Sequence, residues 1–94
     1  MNLEANSHAK VWCVYILECS DGSYYTGITN DLNKRVLKHN SGTGARYTRS
    51  RLPVKVVAHF IVDNRSSALK LESLLKKKTR RQKALIIEGG IENV

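Results

Sequence analysis

From Val11 to Cys19 the chain is almost continuously apolar and rich in Val, Ile, Trp and Tyr, the composition of a strand. Ser20-Asp21-Gly22 follows as a turn, and Ser23 to Ile28 reads as a second strand running back along the first. Turn length sets the register. A two-residue Asp-Gly loop would set Tyr25 opposite Glu18, on the other face from Tyr15. A three-residue loop, with Gly22 left-handed and a bulge, sets Tyr25 opposite Leu17, so that Tyr15 and Tyr25 share a face as diagonal neighbours. The three-residue loop is expected, because a site shared by both tyrosines requires that register.

Leu32, Arg35, Val36 and His39 follow the i, i+3, i+4, i+7 spacing of one helix face, in a helix from Asn30 or Asp31 to about Asn40. Two polar residues thus share a stripe with two apolar ones. Gly42 lies beyond its end, and Ser41 to Leu52 reads as a loop. Val54 to Val62 is a third strand, with Pro53 at its start, where a missing N–H costs little. A second helix, capped between Asp63 and Ser66 and running to about Lys78, has the apolar stripe Ala68, Leu71, Leu74 and Leu75. Glu72 points along that stripe. Thr79 and Gln82 form a capping box for a third helix that Gly89 ends. The order β-β-α-β-α-α predicts an α+β fold: three mainly antiparallel strands flanked by helices. Residues 11–88 form one domain, between a flexible tail over 1–10 and a C-terminal tail over 89–94.

The charge changes this picture more than the composition does. Apolar residues at 41% and charged ones at 26% are ordinary, but the net charge is +8. Fifteen of the sixteen Lys and Arg residues lie between Leu32 and Lys83, with only Asp63 and Glu72 opposing them. Such a field attracts polyanions, nucleic acid first among them. A membrane surface is not expected, since no helix pairs a basic face with a strong Trp/Phe/Leu face. Cys13 and Cys19 would stand roughly 20 Å apart in an extended strand, too far for a disulfide. Free thiols and an N-terminus without an apolar core suggest a cytoplasmic protein.

Two phenols, a guanidinium and an imidazole, from Tyr15, Tyr25, Arg35 and His39, converge within about 25 residues. With Cys13-Val14-Tyr15 as first motif and Tyr25-Thr26-Gly27 as second, the chain resembles the GIY-YIG nuclease superfamily over roughly residues 11–83. It is most similar to the small stand-alone bacterial branch, which shares the Ser-Asp-Gly turn, the Ile-Thr-Asn-Asp-Leu helix start and the Tyr-Thr-Arg loop. Cys13 replaces the motif glycine, and Val14 and Thr26 replace isoleucines. The resemblance implies divalent-metal-dependent hydrolysis of phosphodiesters. Tyr15 and Tyr25 match its tyrosines, Gly27 its glycine, Arg35 its helix arginine and His39 a polar position one turn later. Glu72 matches its metal-binding glutamate.

In that reading Tyr15 is the general base. A free phenol, with a pKa of about 10, is a poor base at neutral pH. A guanidinium and a metal-bound water nearby would lower that value. Arg35 has the fork suited to phosphate, and Glu72 offers a hard oxygen to one Mg²⁺ or Mn²⁺. Arg46, Tyr47, Arg49 and Arg51 form a basic loop for phosphate contact, with base stacking or active-site help from Tyr47. Lys76, Lys77 and Lys78 open a second basic run. Each residue also has a plainer role open to it: sheet aromatics for the tyrosines, a solvated stem for Arg35, a macrodipole contact for His39, pairing with Lys76 for Glu72. The expectation is an endonuclease-like enzyme on nucleic acid, DNA ranked before RNA, acting as a monomer or with a protein that delivers substrate. The alternative is a non-catalytic nucleic-acid-binding module or accessory protein on the same fold.

Overall fold

A computed structural model describes residues 11–90 of the chain. The elements run β1 (Cys13–Glu18), β2 (Tyr24–Thr29), α1 (Leu32–Asn40), α2 (Arg46–Arg49), β3 (Lys55–Ile61), α3 (Arg65–Lys76) and α4 (Arg80–Gly89). They form the expected antiparallel three-stranded sheet, in the order β2-β1-β3, with helices on both faces. The single-turn helix α2 is an addition inside the segment read as a loop. The expected tail over 1–10 lies outside the described residues, as does 91–94; α4 extends through Gly89, and Gly90 caps it at φ 85°. Among the described residues no helix is long and apolar enough to cross a membrane.

The hairpin between β1 and β2 adopts the register that unites the tyrosines. The Gly22 amide donates to the Cys19 carbonyl at 2.9 Å and the Cys19 amide to the Ser23 carbonyl at 2.8 Å, closing a three-residue loop. Gly22 is left-handed at φ 82°, a conformation that costs glycine nothing. Leu17 consequently pairs with Tyr25, and Tyr15 with Gly27.

Strand alternation then divides the core in two. On one face Val14 packs with Ala68 and Leu75 of α3 and Ile86 of α4, with Trp12, Ile28, Phe60 and Leu71 around them. On the other face Tyr15, Leu17 and Cys19 pack with Val54, Leu32 and Val36. Helix α1 therefore covers the tyrosine face, as its Leu32–Val36 stripe predicts. Asp31 caps it, accepting from the Lys34 amide at 3.2 Å. Its far end is tied to the start of β3 by Asn40. The Asn40 amide group donates to the Val54 carbonyl at 3.0 Å and accepts from the Val54 N–H at 2.8 Å.

Candidate functional site

The face shared by β1, β2 and α1 gathers an aromatic and imidazole cluster. Tyr15 is 1% exposed and His39 wholly buried. The Tyr15 hydroxyl lies 2.9 Å from His39 Nε2. The Tyr25 ring centroid is 6.4 Å from that of Tyr15 and 5.4 Å from that of His39. Arg35, one turn before His39 on the same stripe, is near enough to hydrogen-bond the Tyr15 phenolate. The four polar residues of the first 40 that were singled out thus meet in one place, because register puts both tyrosines on one face and the helical period puts Arg35 and His39 above them.

Glycine makes this closeness possible. Gly27 stands directly across from Tyr15, and a Cβ there would lie 2.5 Å from the Tyr15 hydroxyl oxygen and 2.7 Å from Cζ. Gly44 does the same for the imidazole: a Cβ at that position would approach His39 Nδ1 to 2.5 Å. Helix α2, which closely follows Gly44, supplies Thr48, fully buried, whose hydroxyl oxygen lies 2.9 Å from His39 Nδ1.

Burial governs the titration of the pair. It pushes the Tyr15 phenol above its ordinary value; the hydrogen bond and charge of Arg35 oppose that rise without cancelling it, and Tyr25 adds to it. The expected lowering of the phenol by the guanidinium is therefore outweighed by desolvation. Burial also holds the His39 imidazole below its ordinary value, and the positive Arg35 acts in the same direction. A neutral, enclosed ring has no charge to offer the helix end, which removes the macrodipole role for His39.

The basic loop is partly engaged within the protein. Tyr47 stacks on Tyr25 at 6.0 Å between centroids and 25° between planes, and the Arg51 guanidinium lies 3.9 Å over the Tyr47 ring. Tyr47 packs against Tyr25 in this way while remaining 38% exposed. Arg51 also donates to Asp21 Oδ2 at 3.1 Å and to the Tyr47 carbonyl at 2.8 Å. Arg46 and Arg49 are exposed. On its outer side Arg35 borders an open groove of about 270 Å³ whose lining includes Trp12, Asn30 and Arg65.

Glu72 comes from α3, which packs chiefly against β2, the strand of Tyr25, on the sheet face opposite the tyrosines. Its carboxylate is mostly covered, with 18% of the side chain exposed, and pairs with Lys76 at 3.2 Å. Thr26, at a motif isoleucine position, turns to the same side of the sheet, and its buried hydroxyl finds no partner among the described residues. No group of three or more His, Cys, Asp or Glu side chains gathers there for a metal among the described residues. These residues fit a hard cation held by one carboxylate and completed by water and phosphate oxygens, not a protein-built cage. Lys77 closes α3 and is exposed, with Lys78 next to it, half-buried, at the junction with α4.

Residues 11–84 match the model of the GIY-YIG catalytic domain. A UPF0213 protein of Streptococcus agalactiae is 47% identical over 75 residues, spanning 80% of this chain and 85% of its own. The solution structure of the UPF0213 protein BH0048 from Bacillus halodurans is similar at a TM-score of 0.54 and 43% identity, over 88% of this chain and 92% of that one. That of EF2693 from E. faecalis gives 0.60 and 41%, over 85% of each. With its hairpin motifs, strand order and helix placement matched over nearly the whole domain, the chain belongs to the GIY-YIG family.

Proposed function

We propose that the protein is a divalent-metal-dependent endonuclease-like enzyme that hydrolyses phosphodiester bonds in nucleic acid, DNA before RNA. The observation that carries this reading is the buried Tyr15 hydroxyl, 2.9 Å from a neutral His39 and beside Arg35. A phenol raised by burial is a weak base alone; with an imidazole to take its proton and a guanidinium to stabilise the phenolate, it can accept one from water. Arg35 also faces the open groove, where its fork can hold the non-bridging oxygens of a phosphate. Glu72 would hold a Mg²⁺ or Mn²⁺ ion. When bound, that ion supplies charge stabilisation at the phosphoryl oxygens.

The Glu72–Lys76 ion pair favours the alternative, a nucleic-acid-binding module without turnover, because it gives the carboxylate a purely structural partner. One experiment separates the two. Labelled single-stranded, duplex, nicked and branched DNA, with RNA alongside, is incubated with Mg²⁺, Mn²⁺ or EDTA. Wild type is expected to cut at least one substrate only with metal, and Tyr15→Phe and Glu72→Ala to lose at least a hundredfold of the rate. Binding without cutting, equal in all three proteins, would sink the enzyme and leave the basic segments as the functional surface.

A further inference from the structure

Thr48 is as buried as His39, and its hydroxyl oxygen meets two groups: His39 Nδ1 at 2.9 Å and the Ala45 carbonyl oxygen at 2.9 Å. A neutral imidazole carries one N–H, and the nitrogen that bears it decides what the ring can do for Tyr15. Arg35 has only donors, so it cannot accept the Tyr15 hydroxyl proton. Among the described residues, the acceptor that proton meets is His39 Nε2, at 2.9 Å. A bare Nε2 places the ring proton on Nδ1, where the Thr48 oxygen accepts it. The Thr48 hydroxyl in turn donates a hydrogen bond to the Ala45 carbonyl.

The opposite tautomer has one point in its favour, the Ala45 N–H, 3.4 Å from Nδ1. That contact is half an ångström longer than the other two bonds of the ring, and near the limit for an N–H donor. The opposite tautomer would also turn Nε2–H toward the phenol oxygen, and the Tyr15 hydroxyl proton would lose the imidazole as its acceptor. The close approach of Gly44 explains how Thr48 reaches the ring: with no Cβ at that position, the loop lies directly against the imidazole.

We infer that Thr48 is a positioning residue whose buried hydroxyl holds His39 in the Nδ1–H tautomer, leaving Nε2 free to take the proton of Tyr15. The inference rests on the hydrolytic reading of the site. In the step it serves, the Tyr15 hydroxyl proton moves to Nε2 as the phenol oxygen takes a proton from the attacking water, so that no free phenolate accumulates. The water oxygen bonds to phosphorus as the bond to the leaving oxygen breaks. The buried imidazolium returns its proton through the Tyr15 hydroxyl to the water that refills the site, and solvent supplies the proton that leaves with the alcohol. Thr48 touches none of the reacting atoms. It acts through the ring, as the orienting partner of a catalytic base does.

The test combines a spectroscopic and a kinetic readout on the whole protein. Histidine ring ¹⁵N shifts are recorded for wild type, Thr48→Val and Thr48→Ser, with His39 assigned from its absence in His39→Gln. Wild type is expected to show Nδ1–H at His39, Thr48→Val to move toward Nε2–H, and Thr48→Ser to keep the wild-type tautomer. In cleavage, Thr48→Val should lower kcat by roughly ten- to a hundredfold, the scale of other outer hydrogen-bond partners, with KM little changed. Thr48→Ser should recover most of that loss. An Nε2–H ring in wild type overturns the inference, as does a Thr48→Val protein with unaltered tautomer and kcat. A wild type that cuts nothing while the tautomer switches as expected supports Thr48's hold on His39 and overturns the hydrolytic reading instead.

Discussion

Gly27 shows how little room the site has. Its strand position would accept most residues on backbone grounds, yet the ring of Tyr15 lies across it, and any Cβ would meet the phenol at both its oxygen and its outer carbon. Gly27→Ala must push Tyr15 away from His39 or move β2. We expect a loss of about 1–3 kcal/mol in stability, the usual cost of overpacking, and cleavage reduced by more than the stability loss explains. Urea unfolding beside cleavage of the same substrate checks both. The tyrosines and the glycine were legible because each sits in a short motif whose register can be worked out from turn length. Gly44 and Thr48 were not. Both lie in a segment that shows no periodicity, and their roles come from a loop folding back on His39, a contact that no local pattern encodes. The Tyr-Thr-Arg string marked the neighbourhood of Thr48 without revealing its hydroxyl as a ligand to the ring.

Among the elements, α1 shows why a mixed stripe is informative. Leu32 and Val36 anchor the helix in the core, and the same face therefore delivers Arg35 and His39 to the sheet. Its end is set by Asn40, whose side chain pairs with both polar groups of the Val54 backbone as a neighbouring strand would. Asn40→Ala leaves that N–H and carbonyl to find other partners; a destabilisation of about 1–3 kcal/mol is expected in chemical unfolding, without loss of the hairpin. The capping box of α4 was readable as Thr79 and Gln82, and both of its bonds are formed. Helix α2 was missed because four residues carry barely one helical turn, too short for an apolar stripe to repeat. The bulge between Ile16 and Leu17 in the β1–β3 pairing was missed for a related reason: a continuously apolar strand looks the same in either register.

At the scale of the whole molecule, acid sensitivity follows from the enclosed imidazole. Unfolding returns His39 to an ordinary pKa of about 6.5, whereas burial lowers it in the fold. The stability linked to the neutral ring is therefore fully present above about pH 6.5. It is lost as pH falls from there through the folded value, at no more than about 1.4 kcal/mol per pH unit. Urea midpoints at pH 7.5 and 5.5 should fall for wild type and fall less for His39→Gln. Asp21, whose carboxyl is lowered chiefly by hydrogen bonds from Ser23, titrates below this window.

The two basic segments belong to layers on opposite faces of the sheet, yet both reach the same hairpin turn. Arg51 donates to Asp21 from one side, and Arg80 donates twice to the Gly22 carbonyl from the other, at 3.2 and 3.0 Å. Asp21 and Gly22 at the tip thus join the helical layer of α3 and α4 to the layer of the tyrosine site. A hairpin tip is ordinarily where a protein accepts an inserted tag, a cut or a circular permutation without complaint. Here an insertion between Ser20 and Ser23 would separate two arginines from their anchors and slip the strands that align Tyr15 with Gly27, so labels and fusions belong elsewhere on the chain.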